Sequence, residues 1–487
     1  IAGSKVNAAR RLRPEEKRSG EVLAATSSLR SGTMGSVPST FATAYKYLGL
    51  GYTTAFDAAV SPLLARHTHE EFADTPCLDK GFFALVGDNH FILRAIKNRE
   101  PELVKNFLGW LLAETKAFAP KVVSPGGVEA FKQGQHGSMK GLDSLVPSFD
   151  VSPRQILQGI AQAANELQLP HAVHIHCNEL GMPGNWRTTL DTMHSLDGLR
   201  AHLTHIQFHS YGGGDADETT FNSQVEPLAA YINEHDPLTV DVGQVVFGNT
   251  TSMTGDGAVG YYLSNLYGTK WYCADTEMES GCGVAPIEYR NKSLVHAWQW
   301  AIGLEWYLLV NDPWKIAMST DHPNGGSFLA YPQIIRLLMD SSFRDEILWD
   351  VHPTVREQSR LRHLDREYTL GEIATITRAA PAKMLGLERK GHLGIGADAD
   401  ITIYTPNANK EEMFQLPRYV FKGGELIVDQ GDLRATIEGK TLHVAPEYDP
   451  AIQENVASWL DQFGTVRLRN YIIGDEELPT REVVSCG

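Results

Sequence analysis

The chain has 487 residues, 42% of them hydrophobic and 21% charged, which is more than one core ordinarily organises and excludes a short peptide or a disordered chain. Forty-three Lys and Arg stand against 59 Asp and Glu, a formal charge of −16 that argues against nucleic acid as a partner. The least polar long stretch, Ala297 to Val310, contains Gln299 and Glu305 and falls short of the roughly 20 apolar residues a spanning helix needs, so no membrane segment is expected.

Strand-like runs alternate with segments of helical period along most of the chain. GYTTAFDAAV precedes the helical SPLLARHTHEEFADT, PKVVSPGG precedes a polar insertion, and RQILQGIAQAANELQLP leads into HAVHIHCNELG. Further strands are expected in AHLTHIQFHSYGGG, PLTVDVGQVVFG and WKIAMSTDHPNGG, with Glu226 to Asn233 and His296 to Val310 as helices between them. Such a series defines an α/β protein with a parallel sheet, and the number of strands points to a (β/α) barrel. After a helical region stopped at Gly386 come the short alternating strands HLGIGADADITIYTP, YVFKGGELIVDQG and KTLHVAP, punctuated by Gly and Asp as tight turns require. The expected organisation is a barrel over 1–388, a small β segment over 389–445, and a C-terminal tail over 446–487 packed on the body.

In HAVHIHCNELG, Val173, Ile175 and Cys177 alternate with His174, His176 and Asn178, so a strand turns its apolar residues to the helices and its imidazoles inward. Reacting groups in such barrels sit where strands end. His176 is therefore the candidate metal ligand, with His174 a deeper neighbour and Asn178 a supporting or substrate contact; a hydrogen-bonded pair of core histidines is the alternative. In HLTHIQFHSYGGG, His205, Gln207 and His209 share one face and His202 has the other parity. This makes His205 a ligand, His209 a support or substrate contact, and His202 structural. Inward histidines on neighbouring strands suit zinc.

Asp321 closes KIAMST just before HPNGG, at a strand mouth where a carboxylate can bind metal and accept a proton from activated water; a turn-shaping Asp is the alternative. Lys121, taken alone, reads as a solvated strand-end lysine. A buried, neutral lysine can instead react with carbon dioxide to give a carbamate able to bridge two metal ions. His67 and His69 fall on a helix opened by Pro62, where residues two apart diverge by about 200° and do not chelate together. The five cysteines, Cys77, Cys177, Cys273, Cys282 and Cys486, show no zinc-type spacing and read as reduced thiols of a cytoplasmic protein. The first twenty residues are rich in Arg, Lys and Glu, unlike a signal peptide. FFALVG and WQWAIGLEWYLLV suit either subunit contacts or core packing.

Jointly, HIHCNELG, THIQFHSYGG, DVGQVVFG, STDHPNGG and GHLGIGADADITIY resemble the A subunits of formylmethanofuran dehydrogenase and of its bacterial counterpart, the formyltransferase/hydrolase complex, in the amidohydrolase superfamily. The resemblance runs from IAGSKVNAARRLRPE to the C-terminal β segment. It implies a distorted (β/α)8 TIM barrel with two Zn2+ ions, beside a small β-sandwich assembled from both chain ends. It further implies that Lys121 is carboxylated and bridges the ions, that His176 and His205 bind the more buried one, and that Asp321 is both ligand and general base. GADADITIY matches the returning sandwich strand and TRAAPAKMLGL the helix before it.

The family's first barrel strand ends in a His-x-His pair, and the matching segment would lie immediately before Ile1. The sequence accordingly reads as lacking an N-terminal piece that includes half of the sandwich. The implied activity is hydrolysis of N-formylmethanofuran to formate and methanofuran, or the reverse condensation, together with the other subunits of a one-carbon transfer complex. Two rival readings stay open: a stand-alone cyclic amidase of the dihydroorotase or hydantoinase kind, and a catalytically inactive scaffold protein within such a complex.

Overall fold

The strands that build the site come in a regular series. In chain order they are β1 (Thr54–Val60), β2 (Asp79–Leu85), β3 (Ala119–Val123), β4 (Val173–His176) and β5 (Ala201–Leu203). A hairpin of β6 (Tyr211–Gly214) and β7 (Asp217–Ser223) then intervenes before β8 (Leu238–Asp241). An antiparallel trio, β9 (Gly248–Thr254), β10 (Tyr272–Cys273) and β11 (Gly283–Tyr289), and a helix over Leu294–Leu309 precede β12 (Ile316–Ala317). This computed structural model describes residues 40–134, 141–214, 217–267, 272–273, 283–478 and 480–487. The IAGSKVNAARRLRPE segment with its Arg-rich start, and Cys282, lie outside the described residues.

Strands β1, β2, β3, β4, β5, β8 and β12 pair in parallel, each with its predecessor in this series, which is the wall of an α/β barrel of the TIM type. Helices cover the outer face, so strand residues of both parities are buried; every residue of β2 and β3 is out of solvent. The helix Pro153–Glu166 shows how sequence dictates one such element. Ser152 and Gln155 form a capping box, Pro153 takes the first turn, and Ile156, Leu157, Ile160, Ala161 and Ala164 form the buried stripe. The apolar runs FFALVG and WQWAIGLEWYLLV prove to be core: Phe82, Trp298, Trp306 and Tyr307 are fully buried.

The small β segment is a four-stranded antiparallel sheet of β13 (Ile401–Ile403), β14 (Tyr419–Lys422), β15 (Glu425–Asp429) and β16 (Asp432–Leu433). Strand β17 (Thr441–Val444), grouped with that segment by its sequence, pairs instead with Lys80 of β2 and with β18 (Arg481–Val484), extending the main sheet. Its four side chains are all buried, a pattern that carries no information about which sheet it joins.

Candidate metal centre

Register brings the chemistry together. Lys121 pairs with His174, His174 with His202, and His202 with Thr239, so one layer of the barrel wall is written across four neighbouring strands. His176 stands one layer higher, opposite Val123. Lys121 is 3% exposed, which removes the reading of a solvated strand-end lysine. It shares the wall of a cavity of about 1180 Å³ with His174, His176, His202, His205, Asp241 and Asp321.

The segment after β5 departs from the expected strand. β5 stops at Leu203, His205 takes a left-handed backbone with φ of 38°, and Ile206–His209 is a turn of 3-10 helix. Period-two reasoning therefore fails from Thr204 onward, and two assignments change. His202 does not face away from the other histidines: it is in register with His174 and lines the cavity, held there as a structural residue by bonds to Asp241 through Nε2 at 3.1 Å and to Thr239 Oγ1 through Nδ1 at 2.9 Å. His205, Gln207 and His209 do not share a strand face; the turn swings His205 and His209 towards His176 instead.

The result is a triad of imidazoles, His176, His205 and His209, whose ring nitrogens lie within 4.8 Å of one another. Ring centroids are separated by 4.7 Å between His176 and His205, 5.2 Å between His176 and His209, and 5.3 Å between His205 and His209. Nδ1 of His205 and both ring nitrogens of His209 are buried with no hydrogen-bond partner of good geometry. Burial, reinforced by His176 and Lys121 nearby, holds both groups well below the usual histidine range, so they stand as neutral imidazoles. Three buried imidazoles whose ligand nitrogens lie this close form a donor set that fits a divalent metal of the zinc kind. His209 is fully buried and does not line the cavity, so the triad, not the substrate space, is where its ring points.

Asp321 follows β12 in a left-handed conformation, φ 47°, and its Oδ2 accepts a hydrogen bond from Asn324 Nδ2 at 2.7 Å. Gly243 sets it beside His205. That glycine has φ of +71°, and a Cβ there would lie 2.5 Å from His205 Cβ and 3.5 Å from Asp321 Cβ. His174 lies deeper, its Nδ1 3.2 Å from His171 Nε2. Asn178 is buried off the cavity wall, where its Nδ2 donates to Pro125 O at 3.0 Å and ties the β4 loop to the β3 loop.

Three participants escape sequence reasoning. Asp256, after β9, places Oδ2 3.6 Å from His176 Nε2. His171 joins the imidazole layer, its other nitrogen bonded to Met384 O at 2.7 Å. Asp241 ends β8 and receives His202 and the His205 backbone N–H. Burial pushes the Asp241 carboxyl up, but hydrogen bonds from His202, Ser319 and Thr204 outweigh it and hold the group below its ordinary value, hence ionised. A signal for Asp241 does exist in the sequence, since it ends an apolar strand run as Asp321 does.

A parallel α/β barrel with histidines and acids gathered at its strand ends is the architecture of the amidohydrolases, and the model of the amidohydrolase family matches residues 1–428 of this chain, which belongs to that family. More particularly, the chain is 42% identical to protein FwdA of Methanocaldococcus jannaschii, over 98% of this chain and 87% of that one. It is 37% identical to the A subunit of the formyltransferase/hydrolase complex Fhc of Methylorubrum extorquens, over 90% and 81% respectively. The crystal structure of the FhcABCD complex from that organism with methylofuran superposes with a TM-score of 0.91 at 35% identity, covering all of this chain and 88% of the other. No helix among the described residues is long and apolar enough to cross a membrane.

Proposed function

We propose that the protein hydrolyses N-formylmethanofuran, or a closely related formylated carrier, to formate and the free amine, and catalyses the reverse condensation, as the A subunit of the formyltransferase/hydrolase or formylmethanofuran dehydrogenase complex. The observation that carries this reading is the convergence of Lys121, His176, His205 and Asp321 on one cavity in a chain so similar to FwdA and to its Fhc counterpart. In this reading His176 and His205 would hold one Zn2+, Lys121, carboxylated on its buried Nζ, would link it to a second, and Asp321 would complete the set. The bound cations supply Lewis acidity and lower the pKa of water.

The chain's own residues do the rest. Asp321, its Oδ2 oriented by the Asn324 amide, accepts the proton of the attacking water and delivers it to the carrier nitrogen as the C–N bond breaks. The cavity accommodates a long, flexible carrier, with Met253, Tyr262 and Leu266 among the apolar residues on its walls. Free thiols at Cys77 and Cys177 agree with a reducing, cytoplasmic setting.

The test is formate release from formylmethanofuran by the metal-replete full chain with the other proteins of its complex. Activity is expected, with Lys121→Ala and Asp321→Asn each lowering kcat by roughly 10²- to 10⁴-fold. Ring opening of dihydroorotate or a hydantoin without formate release would replace this reading by the cyclic amidase, and absence of both activities with less than one zinc per chain would replace it by the scaffold.

A further inference from the structure

The carboxylate of Asp241 is surrounded entirely by donors. Oδ1 accepts the His205 backbone N–H at 3.0 Å and the Ser319 hydroxyl, and Oδ2 accepts His202 Nε2 at 3.1 Å. Ser319 continues the chain of contacts, its Oγ accepting the Gly243 N–H at 2.8 Å. Gly243 is the residue wedged between His205 and Asp321. One buried anion thus joins the ends of β5, β8 and β12 at the point where His205 and Asp321 leave their strands.

His174, His202 and Asp241 also form a cluster with ligand-like spacing, which raises the question of a separate metal site. Both ring nitrogens of His202 are already bonded, to Thr239 and to Asp241, and both oxygens of Asp241 are occupied. The two ring nitrogens of His202 are thus spent on protein partners, which leaves it no lone pair for an ion and makes the His202–Asp241 pair a strut.

We infer that Asp241 is a positioning residue: its carboxylate locks the left-handed turn at His205 and, through Ser319 and Gly243, sets the separation of His205 from Asp321. The inference rests on the metal site of the proposed function. An amide at this position keeps the volume but removes the negative charge, and with its oxygen left to the His205 N–H and Ser319 its NH2 meets the donor His202 Nε2, so Asp241→Asn weakens the lock without opening a cavity.

Two readouts on the full chain test it, zinc affinity by titration and hydrogen exchange at the His205 amide. Asp241→Asn is expected to bind zinc roughly 10- to 100-fold more weakly, in the range by which residues supporting metal ligands act, with kcat recovered at excess zinc. The His205 amide is expected to lose protection while the amides of β4 keep theirs. Ser319→Ala, which removes one donor and leaves the carboxylate, should give a smaller effect of the same kind and guards against a misfolded Asn variant. Unchanged zinc affinity and unchanged exchange in Asp241→Asn would overturn the inference. Failure of the wild-type chain to bind zinc would overturn the proposed function instead, and the exchange readout would still decide the role of Asp241.

Discussion

At the scale of single residues, Gly243 carries more of the site than its lack of a side chain suggests. Its φ of +71° and a virtual Cβ 2.8 Å from His205 Cα leave no room for a methyl group, because the obstructing atoms are backbone and Cβ rather than a flexible tip. Gly243→Ala must adopt a left-handed conformation and push His205 away, at a combined cost of about 2–4 kcal/mol. The expected outcome is a lower melting temperature together with a loss of bound zinc, read by calorimetry and metal analysis on one sample. Wild-type zinc content in a folded Gly243→Ala protein would show that this glycine does not set the site. The same locality explains which histidines are legible in the sequence. His174 and His176 lie inside a regular strand, where alternation places side chains correctly, whereas His202, His205 and His209 straddle a left-handed residue that resets the phase. A single φ reversal is invisible in a sequence unless glycine marks it, and here it falls on a histidine.

At the scale of elements, the barrel strands other than β2 are legible because each is an apolar run ended by turn residues, and even the two-residue β12 announces itself by KIAMST before the Pro and Gly of its loop, whereas the FFAL of β2 reads only as a core or contact run. The partner of a strand is set by contacts far away in the chain, which is why the pattern of β17 assigns it to the wrong sheet. The junction between the two sheets has its own chemistry. Lys390 reaches Asp79 at 2.6 Å, Asp400 at 2.9 Å and Asp398 at 3.0 Å, and Lys422 reaches Asp79 at 2.5 Å and Asp400 at 2.7 Å. Three carboxylates and two ammonium groups, nearly all out of solvent, are mutually dependent. Lys422→Met leaves Asp79 and Asp400 sharing Lys390 alone, and breaking a buried pair in this way costs about 3–5 kcal/mol. Denaturant unfolding should register that loss while zinc content stays at the wild-type value, since Asp79 opens β2 at the end of the barrel opposite to the metal centre. A Lys422→Met protein as stable as wild type would mean that Lys390 alone balances the cluster.

At the scale of the whole molecule, the number of buried neutral histidines sets the response to acid. Burial pulls His69 from an ordinary 6.5 down to about 4 and His171 down to about 3, and lowers His443 as well. For each, the unfolded chain binds a proton below pH 6.5 that the folded protein refuses until its own lower pKa is reached, so stability is complete above 6.5 and drains away as the pH falls towards 4 and then 3. Asp88 acts in the opposite sense. Buried with Oδ2 lacking a hydrogen-bond partner, it is pushed up to about 8, so the folded state holds its proton from about pH 8 downward while the unfolded chain takes one up only near the ordinary 3.8, and acidification through that window adds stability. Burial raises Glu305 in the same sense, and the several buried histidines outweigh these two carboxyls to leave a net loss. Unfolding free energy of the metal-free chain is therefore expected to fall between pH 6.5 and 4. His69→Gln should make that limb shallower by up to about 1.4 kcal/mol per pH unit, and Asp88→Asn should make it steeper by up to the same amount. Denaturant titrations at pH 6.5, 5.5 and 4.5 separate the two contributions, and a His69→Gln slope equal to wild type would mean that His69 is protonated in the folded protein and that its burial against Phe72 and Phe82 does not exclude the charge.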